Sequence, residues 1–171
     1  KDDDTLKKDS LLENLKTLLD GSVSIENDKF YLSQITPTRM EFNLISEGIR
    51  KLALLLQLIK NGTLESGSVL FWDEPEANLN PKIIPTLVEI LLELQRKGVQ
   101  IFISTHDYVL SKYFEIRATE ADDVRYFSLY KSEHDSVSYE QCSNFRELEK
   151  NPIISAYDKL LDEVLDKNMG D

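Results

Sequence analysis

Apolar residues recur along this chain with spacings that switch between helix-like and strand-like periods. Leu6, Leu11, Leu12, Leu15, Leu18 and Leu19 fall at helical intervals among charged residues, predicting an amphipathic helix over 6–19 that stops at Gly21. The segments 23–25 and 29–32 flank Glu26, Asn27 and Asp28 as a short hairpin, and 39–44 reads as a further strand or an extended lead-in. Ile49, Leu52, Ala53, Leu55, Leu56 and Ile59 predict a largely buried helix over 47–60, ended by Asn61 and Gly62. Val69 to Trp72 is instead a continuous apolar run bounded by turn residues, the pattern of a strand covered on both faces. A periodic segment from Pro81 to Lys97 closes at Gly98, with Pro85 tolerable in its first turn, and 100–105 forms a second short strand.

Strand, helix and strand in that order make a βαβ unit, whose strands should run parallel with a right-handed crossover. Residues 124–131 and 137–141 alternate as an antiparallel pair around a turn at 133–136, and 152–167 forms a last amphipathic helix. The expected fold class is therefore α/β, a parallel βαβ core with flanking helices and an antiparallel hairpin.

Composition narrows the setting. With 171 residues, 41% of them apolar, the chain can bury one sizeable core, so 1–171 reads as a single domain. The lone Cys142 cannot form an internal disulfide and is expected to be a packed thiol. No apolar stretch approaches the roughly 18 residues of a membrane span and no secretory signal pattern occurs, which predicts a cytoplasmic protein without a membrane partner. The net charge of −11, with acidic clusters at Asp2–Asp4 and Glu120–Asp123, opposes binding of a phosphate backbone by this chain, so DNA or an effector protein would be met through other regions. The chain opens on Lys1 rather than methionine, which reads as a piece of something longer.

Chemistry concentrates where elements end. Asp73 and Glu74 close the apolar run at 69–72, and ligands of open α/β sheets sit beyond such strand ends. Ser46, Glu47 and Gly48 open the helix at 47–60, where a hydroxyl, free N–H groups and a positive dipole end suit a phosphate; equally, Ser46 can be an ordinary N-cap. Arg50 and Lys51 on the first turn either lie near a nucleotide or are solvated. Ser104, Thr105 and His106 close the second strand, and His134, in the hairpin turn, has no assigned role. A Gly-x-x-x-x-Gly-Lys-Ser/Thr phosphate cradle occurs nowhere in the sequence.

The order of these three groups resembles the second half of an ABC-type ATPase, over roughly residues 44–108. In that resemblance Ser46 and Gly48, with Glu47 between them, match the signature motif. Val69 to Asp73 match the Walker B strand, Glu74 the catalytic glutamate, Ala77 to Asn80 the D-loop with Asn78 and Asn80, and His106 the switch histidine. Glu-Ala-Asn-Leu-Asn-Pro and Ile-Ser-Glu-Gly-Ile look more like soluble RecF-, SMC- and OLD-type ATPases than like transporters.

The resemblance implies ATP and Mg2+ as cofactors, with Asp73 holding the metal, Glu74 acting as general base and His106 contacting the terminal phosphate. It further implies an ATP-dependent homodimer in which Ser46 and Gly48 of one subunit face nucleotide held by the other, Gly48 staying exposed until the partner arrives. The Walker A lobe would come from elsewhere in the same protein, and this chain alone should be inactive. The process served would be DNA repair, chromosome handling or defence. The competing readings are a non-catalytic dimerisation or docking module that keeps the fold, and a transporter nucleotide-binding subunit.

Overall fold

In the computed structural model of the chain, the structure describes residues 12–19, 21–26, 29–34, 39–41, 46–131 and 136–169. They form two units, the first ending at Thr105 and the second beginning at His106.

The first unit opens with helical residues 12–19 (α1), which bury Leu15 and Leu19. Three antiparallel strands follow, Gly21–Glu26 (β1), Lys29–Gln34 (β2) and Arg39–Glu41 (β3). Glu26 pairs with Lys29, placing the first hairpin where the sequence predicts it, and the third strand pairs with the second through Tyr31 and Glu41. Helix α2 spans Glu47–Lys60 and buries Leu52, Ala53, Leu55, Leu56 and Ile59, the stripe read from the sequence. Each such leucine or isoleucine contributes about 1.5 to 3 kcal/mol by leaving water.

Strand β4 spans Val69–Asp73, helix α3 Ile84–Arg96 and strand β5 Gln100–Ser104. The two strands are parallel in the register Val69 to Gln100 through Asp73 to Ser104, which is the predicted βαβ core. Pro81–Ile83 forms a separate 3-10 turn ahead of α3, and Pro85 does fall in the first turn of the helix. Gly98 ends the helix at φ +88°, a left-handed conformation that lets its N–H reach the Gln95 carbonyl and that of Val99 reach Leu94.

One expectation fails here. The 69–72 run is not covered on both faces: exposure alternates along β4 and β5, and Phe71 is 75% exposed. Val69 and Phe102 share that open face, the two phenyl rings stacking with centroids 4.9 Å apart. Among the described residues these two strands make a sheet by themselves, whose other face carries the partly buried Leu70, Trp72, Ile101 and Ile103.

The second unit contains α4 (Tyr108–Arg117), an antiparallel hairpin of β6 (Tyr126–Lys131) and β7 (Val137–Cys142), a 3-10 turn at Phe145–Glu147 and α5 (Pro152–Met169). The hairpin matches the sequence reading, pairing Lys131 with Val137; His134 lies outside the described residues. Leu110, Phe145 and Leu148 form its small core, Tyr108 and Tyr126 set their rings against Phe145, and Asn151 binds the Phe145 carbonyl while capping α5 through the Ile154 N–H. Helix α4 has no counterpart in the sequence reading, because it buries only Leu110 and Ser111 and shows no apolar stripe. Its one local signal is Asp107, whose side chain accepts from the Leu110 N–H as an N-cap. Cys142 is half-buried, its thiol beside the Glu147 carboxylate.

Candidate functional site

The carboxyl end of β4 delivers two acids in different environments. Asp73 is exposed, and its Oδ1 accepts from the hydroxyl of Ser104, its register partner on β5. An exposed carboxylate at a strand end is a hard oxygen donor of the kind Mg2+ takes, usually as one or two protein carboxylates completed by phosphates and water. No cluster of three or more His, Cys, Asp or Glu residues suited to a metal occurs among the described residues.

Glu74 turns the chain away from the sheet. Its φ is +45°, a left-handed conformation that disfavours side chains with a Cβ by roughly 1 to 2 kcal/mol. Three hydrogen bonds hold it there. Its N–H extends the β ladder to the Ser104 carbonyl at 2.9 Å, and its own carbonyl accepts from the Ala77 N–H at 3.1 Å and from Lys51 Nζ at 2.8 Å. Pro75, buried, fixes the next φ.

Glu76 is buried at 8% exposure. Thr105, just past β5, donates from its hydroxyl to Glu76 Oε1, while Oε2 is enclosed with no donor in reach. Burial pushes the Glu76 carboxyl above the usual glutamate range; the Thr105 hydroxyl and the Glu76 backbone N–H pull it back in part, and the neighbouring Glu74 acid adds to the rise.

The start of α2 meets the turn at 76–80. Ser46 is exposed in the N-cap position; its carbonyl accepts from the Arg50 N–H, but its side chain makes no capping hydrogen bond. Glu47 is exposed and accepts from Asn78 Nδ2 at 2.9 Å. Asn78 itself is left-handed at φ +64°, which asparagine tolerates better than most residues. Asn80 accepts from the Lys82 N–H and caps the 3-10 turn.

Gly48 corrects a prediction: it is buried in this chain rather than exposed. A Cβ placed there would lie 2.3 Å from the Asn78 carbonyl oxygen and 2.8 Å from Leu79 Cδ2, so the helix backbone sits directly on the loop. Helix start and loop thus meet through Glu47, Gly48 and Asn78, and Lys51 of the same helix reaches Glu74 at the strand end; Ser46 precedes this contact in the chain and Asn80 follows it. His106 is exposed and opens the second unit, directly after Thr105.

Glu76 is the contributor that sequence reading missed. Lys51, read from the sequence as either near a nucleotide or solvated, donates to the Glu74 carbonyl. For Glu76 the available signal was the repeat of acids at 74 and 76 around a proline, which alone does not distinguish a solvated from a buried carboxyl.

The profile of a family described as "AAA domain, putative AbiEii toxin, Type IV TA system" matches residues 4–112. No curated protein matches the sequence. Among solved structures, the chain superposes on one described as the structural biochemistry of ATP-driven dimerization and DNA-stimulated activation of SMC ATPases, with a TM-score of 0.56, 13% identity and 92% of each chain covered. It also superposes on the Smc head domain with an extended coiled coil bound to the C-terminal domain of ScpA from Pyrococcus furiosus, with a TM-score of 0.57, 13% identity and 92% of this chain but 37% of that one covered. At that identity the superpositions establish the shared fold. No helix among the described residues is long and apolar enough to cross a membrane.

Proposed function

The chain belongs to the AAA domain family, and from that premise we propose that it is the catalytic-carboxylate lobe of an SMC-like ATPase that closes as a dimer around ATP. Glu74 is the general base that orients and deprotonates the attacking water, and Asp73 holds the Mg2+ that neutralises charge on the terminal phosphates when nucleotide is bound. The observation that carries this reading is the Glu74 turn. A residue forced to positive φ and tied by Ser104, Lys51 and Ala77 is aimed by its backbone at a fixed point beyond the strand, which catalysis by positioning needs and a solvated surface turn does not.

Ser46 and the first N–H groups of α2 form the edge offered to a nucleotide held by the second subunit, with Asn78 and Asn80 on the adjoining loop. Glu47 and Gly48 act there by fixing helix to loop, through the Asn78 bond and the close backbone approach. His106 is the group that would donate to the terminal phosphate. The phosphate-binding loop comes from a separate segment, and the open face of Val69, Phe71 and Phe102 is an apolar surface suited to being covered by it. DNA or an effector protein would engage the assembled protein outside this acidic lobe.

The deciding experiment compares Glu74→Gln with the parent in the protein that includes the phosphate loop. Turnover should fall by at least about a hundredfold, the lower end for loss of a general base, while ATP binding persists. Unchanged turnover would remove the assignment.

A further inference from the structure

Ser104 makes two hydrogen bonds to the end of β4, only the first of which the proposed function uses. Its carbonyl accepts from the Glu74 N–H at 2.9 Å, and its hydroxyl donates to Asp73 Oδ1. The second bond follows from the strand register: Asp73 and Ser104 are partners on neighbouring parallel strands, so their side chains leave the same face of the sheet, the one on which Phe71 and Phe102 stack two residues earlier. Both residues are exposed.

Nothing in the fold asks for a hydroxyl at this place. β-Branched and aromatic residues suit a strand better than serine, and water can satisfy an exposed carboxylate as well as a hydroxyl can. What the hydroxyl adds is direction. An exposed side chain left to solvent exchanges rotamers within nanoseconds, whereas a donor fixed to the next strand selects one arrangement of the carboxylate and engages one of its two oxygens. Mg2+ demands near-ideal octahedral geometry, so a carboxylate that takes it gains from being oriented beforehand.

We propose that Ser104 is the positioning residue for Asp73: its hydroxyl, carried on β5, orients the carboxylate that takes the Mg2+ of the bound nucleotide. The inference rests on the reading of Asp73 as the metal carboxylate. Its consequence is that a single residue of β5 sets both acids of the site, Glu74 through its backbone and Asp73 through its side chain. A hydrogen-bonded partner behind a metal ligand typically carries about ten- to a hundredfold of the metal affinity.

The test uses the protein that includes the phosphate loop, with Mn2+ as the probe for Mg2+ and its binding in the presence of ATP followed by electron paramagnetic resonance. Ser104→Ala should weaken Mn2+ binding by about ten- to a hundredfold and raise the Mg2+ concentration for half-maximal turnover by a similar factor, while ATP affinity in EDTA stays at the parent value. Ser104→Thr keeps the donor and should restore both. The urea midpoint should hold in the two variants, since the residue is exposed. Unchanged Mn2+ affinity in Ser104→Ala, or a threonine variant as weak as alanine, overturns the proposal. So does a lowered urea midpoint with metal affinity held, which would assign the hydroxyl to the fold alone.

Asp73→Asn separates the proposal from the reading beneath it. Should that variant bind Mn2+ as tightly as the parent, Asp73 is not the metal carboxylate and both fall; should it bind weakly while Ser104→Ala binds normally, only the proposal falls. One further readout needs neither metal nor nucleotide. Three-bond couplings across the Asp73 Cα–Cβ bond, in aspartate-labelled protein, should report a single rotamer in the parent and in Ser104→Thr and an average in Ser104→Ala; averaged couplings already in the parent would overturn the proposal.

Discussion

Lys51 Nζ donates to the backbone carbonyl of Glu74 at 2.8 Å, joining the first turn of α2 to the turn that follows β4. The bond is part-buried and lies on the residue with the least favourable backbone conformation of the site. A hydrogen bond from a charged donor is worth about 1.5 to 3 kcal/mol, comparable to the cost of holding Glu74 left-handed. Lys51 therefore offsets the strain that aims the carboxylate, across a sequence separation of 23 residues.

Lys51→Met, which keeps the aliphatic stem and deletes the donor, is expected to lower stability by about that 1.5 to 3 kcal/mol and to lower turnover of the protein that includes the phosphate loop without weakening its ATP affinity. Urea denaturation and steady-state kinetics measure the two effects. Weakened nucleotide binding with turnover unchanged would place Lys51 in one of the two roles the sequence left open, a cation beside the nucleotide.

Gly48→Ala sets two effects against each other. Replacing glycine within a helix gains up to about 1 kcal/mol in propensity. The added Cβ, however, would sit 2.3 Å from a backbone carbonyl oxygen, which cannot rotate away as a side chain can. Overpacking should win, with a net loss of about 1 to 3 kcal/mol seen as a lower urea midpoint at unchanged slope. Arginine at the same position should cost more, so dimer closure is better probed at the exposed Ser46. A neutral or stabilising alanine would mean that helix and loop separate easily.

These cases mark what one-dimensional reading reaches. The βαβ core was legible because β4 and β5 are short apolar runs and α3 has a stripe closed by Gly98, all local signals. The strand end at Asp73 was legible because the apolar run stops there, which makes Asp73 and Glu74 candidates. The open face of Phe71 was not, since a continuous run records that residues are apolar and not which of them meet another element. Gly48 at a helix start reads the same whether it faces solvent or the Asn78 carbonyl. Glu76 reads as one more acid in an acidic chain until Thr105 and the enclosure of Oε2 are seen together.

The second unit has an acid-sensitive joint. Glu140 on β7 accepts from the backbone N–H groups of Lys150 and Glu149, both at 2.9 Å, and these bonds hold its carboxyl below the ordinary glutamate range. A depressed folded value means that the contribution is present above the unfolded value and is lost as pH falls through the folded one. Glu140→Gln should accordingly flatten the acid side of the stability–pH curve and leave the neutral side nearly parallel to the parent. Chemical denaturation from pH 3 to 7, roughly the window in which carboxyls titrate, checks this, and parallel curves throughout would contradict it.

The chain by itself is expected to bind Mg2+ and ATP weakly and not to hydrolyse ATP. Tight nucleotide binding in ATPases rests on a loop of backbone N–H groups with a lysine reaching the outer phosphates, and the sequence contains no such motif. What its described site residues offer an anion is the amino end of α2, and there the first turn carries the acidic Glu47, which opposes a phosphate. Asp73 can reach the polyphosphate only through a metal, and one exposed carboxylate does not hold Mg2+ firmly without phosphates already in place. Titration calorimetry of the chain with Mg2+ and ATP should therefore give no low-micromolar isotherm. A dissociation constant in that range, about 8 kcal/mol of binding, would require a phosphate cradle within this chain and would remove the argument that a separate segment supplies it.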